Sequence, residues 1–362
     1  MKIEVETLVR SVGELTALGR FAKYADPDRR LITLPSVVDA FVNNPFVRTK
    51  DQPAQIVGVV GDRIIGGVGA LPMRMVADGE NYETSAGPDI LVNAAFRNTC
   101  FALDLIEAGR MMSPDRITVD FYVSRMARKV CGLMGNAVFD IAQFALVRRS
   151  MEFFGSRIPP FIRWLACPLL DCAFALHRMI VRVVVALRTR GWRLEDASDE
   201  QGLRDFAALV EKDAHRFRED VSVAFLQWLF ANDFDSVALA DKHLWRVSRG
   251  DAVYGYVLTR VSNRGRRGRT IEWQATDGNE DKLSWMLLKA ALRVIGKTNA
   301  VVLSFSSADA ALFGPFRWLL PRLPLQAATV GVGEGSPLER HPGWREQKNW
   351  RIRPAMGDCG LY

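Results

Sequence analysis

Short apolar runs separated by glycine, aspartate and asparagine set the pattern of the chain, most clearly from Ile64 to Glu107. Two such runs flank the turn Asp78-Gly79-Glu80-Asn81. A third, Asp89 to Asn93, leads through a polar joint into Phe101, Leu105 and Ala108, spaced as on one helix face. This pattern predicts strand, turn, strand, helix. Upstream, residues 3 to 24 read as a strand and a short helix. Arg29 to Val47 carries helical spacing around Val37, Val38, Phe41 and Val42 and closes at Asn43-Asn44-Pro45-Phe46. Gln55 to Val60, the turn Gly61-Asp62 and Arg63 to Leu71 predict a hairpin. Downstream, Ile117 to Val123 reads as a strand, followed by a helix from Ser124 to Leu133 that ends at Gly135.

The middle of the chain departs from this alternation. Between residues 144 and 194, Arg148, Arg149, Arg157, Arg163, Arg178, Arg182, Arg188, Arg190 and Arg193 are spread through Phe, Trp, Leu, Val and Ile, and Pro159-Pro160 cuts the stretch in two. Asp171, Arg178 and Arg182 are spaced seven and four apart, which leaves one narrow polar stripe on an otherwise apolar helix. Its uncharged stretches are shorter than the roughly 20 residues a bilayer span needs. Two readings stay open: a helical layer buried between two halves, which is the expectation, and an amphipathic helix over 158–190 resting on anionic lipid.

Helices over Gly202 to Arg218 and Val221 to Phe230 open the second half. Ser236 to Ala240, Lys242 to Ser248 and Asp251 to Val261 read as strands. The basic turn Asn263 to Arg269, the strand Thr270 to Ala275, a helix from Glu280 to Ile295 and a strand from Ala300 follow. The order of hairpin, strand, helix and strand repeats that of the first half and implies an internal duplication. The joint Ala275 to Asp281 is acidic, which suits a helix start but repels an anion. The basic turn has no interleaved aromatic residues for base stacking, so it reads as a solvated hairpin tip and a nucleic-acid partner is not expected.

Composition narrows the class only a little. At 362 residues the chain suits two domains, and its 49% hydrophobic and 25% charged residues are those of a folded protein with a sizeable core. A formal charge of +7 favours an anionic partner without choosing one. Cys100, Cys131, Cys167, Cys172 and Cys359 are odd in number and form no CxxC pair, which predicts a reducing, cytoplasmic setting. The opening Met1 to Thr7 alternates charge with apolar residues and reads as a strand rather than a signal peptide. His177, His215, His243 and His341 lack ligand spacing, so no metal is expected.

The order of Val92, Phe96, Arg97, Cys100 and Ala102 resembles motif A of the GNAT acyltransferase superfamily: an apolar strand, an Arg or Gln, and glycines at the start of a helix. Arg97 and Ala102 are kept, while Asn98 and Cys100 stand where glycines are usual. The resemblance implies an α/β fold of two GNAT-like repeats, each a mostly antiparallel twisted sheet flanked by helices and joined by the Arg-rich helical segment. It divides the chain into 1–150, a donor-binding domain; 151–200, a connector; 201–350, a second repeat; and 351–362, a tail. In that family the loop amides and the Arg hold the pyrophosphate of coenzyme A. The resemblance thereby assigns Leu91, Val92, Asn93, Arg97, Asn98, Thr99, Cys100, Phe101 and Ala102 to a donor such as acetyl-CoA or another acyl-CoA.

The same resemblance places a Tyr that protonates the departing thiolate four residues before a helix-ending glycine. Counting back from Gly135 puts Cys131 there, with Tyr122 the nearest phenol; Cys131 also reads as a small packing residue. Asp89, Asp120 and Glu83 are candidates for the base that takes the acceptor's proton, against a plain reading as surface or turn carboxylates. The run Asp220 to Phe230, the strand Val253 to Arg260 and the tail Trp350 to Gly360 resemble tandem GNAT proteins found with bacterial polysaccharide assembly, related in architecture to the Fem-type aminoacyltransferases. The implied activity is transfer of an acyl group from acyl-CoA, or from an acyl carrier protein, to an amine of a small-molecule or sugar acceptor. A Fem-like transferase using charged transfer RNA and a non-catalytic binding protein are the alternatives.

Overall fold

Runs ended by glycine, proline or aspartate produce many short strands. In the computed structural model the described residues are 6–14, 35–61, 63–87, 91–96, 99–123, 125–151, 159–232, 240–262, 267–298, 300, 302–307, 314–324 and 326–354. The first elements are β1 (Glu6–Ser11), α1 (Pro35–Val42), β2 (Pro53–Val60), β3 (Arg63–Gly69), β4 (Leu71–Ala77), β5 (Glu80–Ala86) and the short β6 (Leu91–Val92). Next come α2 (Phe101–Met112), β7 (Ile117–Val123), α3 (Arg125–Leu133), β8 (Ala137–Val147), the long α4 (Pro160–Arg188), β9 (Arg193–Asp196), α5 (Glu200–Glu211), β10 (Phe217–Glu219) and α6 (Val223–Ala231). The chain continues through β11 (Asp241–Arg249), β12 (Ala252–Val261), β13 (Arg267–Ala275), α7 (Leu283–Lys297), β14 (Val302–Ser307), the short α8 (Phe316–Leu319), β15 (Gln326–Val332) and β16 (Trp350–Arg351).

These elements gather into two compact units. Met1–Asp140, Ala214–Ser236 and Gln326–Tyr362 form the first; Ile141–Asp213 and Val237–Leu325 form the second. In the first, Asp78 and Gly79 take φ of 49° and 88°, the positive angles of a two-residue hairpin turn that matches strand twist, and so join β4 to β5. The larger sheet runs β16-β10-β4-β5-β7-β15, and a smaller antiparallel sheet runs β1-β2-β3-β6. Helix α2 covers the smaller sheet, burying Phe101 and Leu105 against Ile56, Ile65 and Val68. Gly58 makes this contact possible, since a Cβ there would fall 2.1 Å from Phe101 Cζ.

In the second unit the order is β8-β14-β13-β12-β11-β9, with β13 and β14 parallel and the other pairs antiparallel. Helix α7 buries Met286, Leu287, Ala290, Ala291 and Val294 on this sheet beside Trp245, Val257, Trp273, Leu303 and Phe305. The succession of antiparallel strands, a helix and a parallel return strand occurs in both units, as β5–α2–β7 and as β13–α7–β14. The expected mixed α/β fold of two such repeats is the one observed.

Several element boundaries differ from the sequence expectation for local reasons. Asp199 accepts the Gly202 N–H at 2.8 Å and starts α5 earlier than Gly202, while α5 ends at Glu211 so that Phe217 to Glu219 can pair with β4 and β16. Ser222 caps α6 by accepting from Phe225 N–H. β13 begins at Arg267, which takes Arg267 and Arg269 out of the basic turn and into the ladder with β14. The strand expected over Ser236 to Ala240 lies almost wholly outside the described residues.

The Arg-rich segment forms one helix of 29 residues, started by Pro160 at its first turn and continuing through Pro168. It is not the layer buried on both sides that the sequence suggested. Of its side chains only Cys167, Val181 and Val185 are fully buried, all toward its own unit, whereas Phe161 and Leu187 are 76% and 72% exposed. Among the described residues no helix is long and apolar enough to cross a membrane.

Candidate functional site

The candidate site of the first unit lies at the end of β5. Leu71 pairs with Ala86 in the larger sheet, and Gly67 with Leu91 in the smaller one. On the other edge, β5 and β7 are parallel for only Thr84–Ile117 and Ser85–Thr118. At the next step the Gly87 N–H donates to Asp120 Oδ1 at 2.9 Å, so a side chain takes the place of a ladder carbonyl.

Asp120 is the centre of this arrangement. Its Oδ2 accepts from Thr329 Oγ1 at 3.4 Å, Thr329 being its partner in the antiparallel β7–β15 register. Burial pushes its carboxyl up to about 6, against the lowering effect of the Gly87 amide and the Thr329 hydroxyl. A Cβ on Gly87 would fall 2.7 Å from Asp120 Oδ1, so the carboxyl approaches the strand closely only because that position is glycine.

Cys131 on α3 belongs to the same group. The thiol is buried; desolvation and then the neighbouring Asp120 carboxyl push it up to about 11, while Thr329 and Asn136 hydrogen-bond to it. Sequence reasoning named Asp120 and Cys131 separately, and the fold joins them through Thr329. Thr329, Asn136 and Gly87 were missed, the first two because they approach from β15 and from the turn after α3. Glu83 is drawn away: its carboxylate pairs with Arg48, and its N–H donates to Asp115 Oδ2 at 2.6 Å. Asp89 lies outside the described residues, and Tyr122 is on β7 two residues beyond Asp120.

The joint before α2 is the second part of the site. Leu91 and Val92 form β6 against Gly67 and Gly66. The Asn93 N–H is engaged by Ile65 O at 2.8 Å, and Asn93 Oδ1 accepts from Ala95 N–H at 2.9 Å. That takes the Asn93 amide out of the set of loop amides expected to hold a pyrophosphate. Thr99 Oγ1 donates to Phe96 O at 2.7 Å and accepts from Phe101 N–H at 3.3 Å, which fixes the first turn of α2. Cys100 occupies the N-cap position without a side-chain cap bond, and Thr99 and Cys100 are exposed. Phe101 points inward onto Gly58, so its side chain is structural, and its N–H is already given to Thr99 Oγ1. Asp104 sits exposed in the first turn. Arg97 and Asn98 lie outside the described residues.

The start of this 12-residue helix presents the positive end of the helix dipole with the backbone of Cys100 and Ala102, a suitable place for a phosphate, while the Thr99 and Phe101 amides are given to Phe96 O and Thr99 Oγ1. Among the described residues no group of His, Cys, Asp or Glu could hold a metal ion. The first unit thus offers a helix start whose dipole favours a phosphate, and a buried carboxyl pushed up to about 6.

No family model and no curated protein sequence matches the chain. Solved structures do. The N-myristoyltransferase of Saccharomyces cerevisiae with bound myristoyl-CoA is similar over 91% of this chain and 83% of its own, at 11% identity and a TM-score of 0.57. A tandem GNAT protein from the clavulanic acid biosynthesis pathway is similar over 91% and 98%, at 10% identity and a TM-score of 0.51. A GCN5-related N-acetyltransferase from Anabaena variabilis is similar over 90% and 72%, at 12% identity and a TM-score of 0.50. Nothing in these likenesses supports the Fem-type detail of the sequence resemblance. With its parallel pair β5 and β7 and its repeated unit, the chain has the fold of the GNAT acyltransferases, present twice in one polypeptide.

Proposed function

We propose that this protein transfers an acyl group from an acyl-CoA thioester to an amine, with the donor held by the first unit. The observation that carries the proposal is the Asp120 carboxyl, placed where β5 and β7 part and pushed up to about 6. The pyrophosphate of the donor would lie at the start of α2 against the amides of Cys100 and Ala102, with Arg97 as its charged partner and the pantetheine arm along β6. An acyl carrier protein would present the same arm and use the same strand.

In the reaction the acceptor nitrogen forms its bond to the thioester carbonyl carbon and the carbon–sulfur bond breaks. Asp120, ionised above about pH 6, takes the nitrogen's proton and returns it to the departing sulfur, so that the carboxyl ends as it began. Cys131 is the poorer donor for the second step. A thiol held near 11 does not readily protonate another thiolate whose own pKa is about 8.5. Cys131 instead maintains the dry side of Asp120 and, with Thr329, its orientation.

The test is a thiol-release assay with acyl-CoAs from acetyl to palmitoyl against a panel of amines, run on the wild type and on Asp120→Asn, alongside calorimetric titration of the same thioesters. Amine-dependent release that falls by about 10² or more in Asp120→Asn, with thioester binding retained, supports the assignment. Absence of both thioester binding and release in folded protein overturns it and moves the chain to a non-catalytic binding role.

A further inference from the structure

The second unit carries a surface that the acyl-transfer reading does not use. Along α4, Phe161, Leu165, Leu169, Leu176, Val183 and Leu187 recur at intervals of four and seven, which puts them on one side of a helix with 3.6 residues per turn. All six are between 54% and 76% exposed, and at about 1.5 Å per residue the stripe is about 39 Å long. Exposed apolar patches of this extent mark an interaction site rather than ordinary surface. Trp164 on α4 and Trp318 on α8 add exposed aromatic area, 73% and 91% exposed. The His177 ring nitrogen bonded to Leu319 O at 2.6 Å holds α8 beside α4.

Charge around the stripe has a single sign. From Pro160 to Arg193 the basic residues are Arg163, Arg178, Arg182, Arg188, Arg190 and Arg193, and the one acid is Asp171. Asp171 is turned inward, accepting Ser150 N–H at 2.5 Å, and Arg178 is anchored by donating to Val147 O and Arg148 O. Arg182 is exposed beside the apolar side, while Arg188 emerges toward α7 with its guanidinium 5.7 Å from the centre of the Trp285 ring. Crowding by Arg148 and Arg182, after desolvation, lowers the basicity of Arg178, the response of a cation among cations.

We propose that the outward face of α4 lies in the interface of an anionic lipid bilayer, its apolar stripe among the acyl chains and its arginines at the headgroups. A lipid surface matches both features at once, since aliphatic side chains with arginines along their borders and tryptophans at the rim have complementary partners there. A second copy of the chain matches only one, because pairing the stripes would set arginine against arginine.

The experiment is vesicle co-sedimentation of the full chain with phosphatidylcholine alone and with an equimolar phosphatidylglycerol mixture, at low and physiological salt. Three proteins are compared: wild type, Leu165→Glu/Leu176→Glu/Val183→Glu, and Arg182→Gln/Arg188→Gln/Arg190→Gln. The substituted side chains are at the surface, so a thermal transition unchanged from wild type certifies the fold. Wild type is expected to bind only the anionic vesicles. The triple Glu variant should lose binding at least about tenfold, and each arginine neutralised should weaken it about fivefold, less at high salt. In a Cys100→Ser/Cys359→Ser background, a polarity-sensitive dye on exposed Cys172 of α4 should shift to the blue on anionic vesicles. Equal binding to both vesicle types, binding that survives the triple Glu substitution, an unshifted dye, or concentration-dependent self-association without vesicle binding would each overturn the assignment.

Discussion

Gly87 gives its amide hydrogen to Asp120 Oδ1 across 2.9 Å, at the step where β5 and β7 stop pairing as strands. This bond puts a titratable group inside a sheet, in a place where a backbone carbonyl would otherwise sit. The consequences are measurable because the carboxyl is held away from its ordinary value.

The Asp120 pKa is raised from 3.8 to about 6, so the native state holds a proton that the unfolded chain gives up. With more protons on the native than the unfolded state, the contribution of Asp120 to stability falls as pH rises from about 4 to about 6 and stays low above it. A shift of two units corresponds to at most about 3 kcal/mol, reduced here because the carboxyl is partly exposed. Asp120→Asn keeps the shape and an acceptor for Gly87 without the charge. It should raise the urea midpoint at pH 8 and leave it nearly unchanged at pH 4, while abolishing turnover. In the wild type, kcat/KM should climb through an apparent pKa near 6; a profile flat between pH 5 and 7.5 would remove Asp120 from the reaction.

Gly87→Ala tests the closeness of that contact. The added methyl carbon would meet Asp120 Oδ1 at 2.7 Å, and the carboxyl has to move or the strand has to bend. Destabilisation of about 1–3 kcal/mol is expected, relieved when Asp120 is also shortened in Gly87→Ala/Asp120→Ala. Strictly additive effects in the double-mutant cycle would show that the two residues are not coupled.

Phe101 and Gly58 form a second such pair. With Phe101 Cζ 2.1 Å from the place of a Cβ, Gly58→Ala should cost more than about 2 kcal/mol, because the ring is buried and has no room to retreat. Adding Phe101→Leu to Gly58→Ala should recover part of that loss. The denaturant midpoints of the single and double variants read this directly, and a tolerated Gly58→Ala would contradict the packing described for α2.

Much of this arrangement can be read in the chain before folding. The hairpin turns at Asp78-Gly79, the strand Ile117 to Val123 and the helix from Phe101 follow from local pattern, because turn chemistry and periodicity act over a few residues. The repeated order of elements was visible for the same reason. The partners of Asp120 were not: Thr329 lies 209 residues away, and register between distant strands is set by tertiary pairing rather than by either sequence. The Gly87–Asp120 bond is hidden likewise, since it is a relation between two strands. Residues Ile162 to Leu187 are largely apolar with Arg163, Arg178 and Arg182 set among them, which suits a buried layer and a surface stripe equally, and only exposure separates them.

The helix start before Ala102 offers a prediction about the donor that does not depend on turnover. Cys100 is exposed at the N-cap, where a bound pyrophosphate would lie against it. Alkylation of Cys100, followed by peptide mass spectrometry, should slow several-fold on adding CoA, whereas alkylation of exposed Cys172 on α4 should be unaffected. Asp104 is an exposed acid in the same turn, and its charge opposes a phosphate that the helix dipole favours. Asp104→Asn should therefore tighten CoA by about twofold, the effect of removing roughly 0.5 kcal/mol of repulsion at the first turn, and the gain should shrink with added salt. Arg97→Glu should do the reverse and more strongly, leaving Cys100 unprotected. If CoA protects Cys172 and Cys100 alike, or neither, the donor does not sit on this turn, and the role assigned to Thr99 through Ala102 passes to another part of the chain.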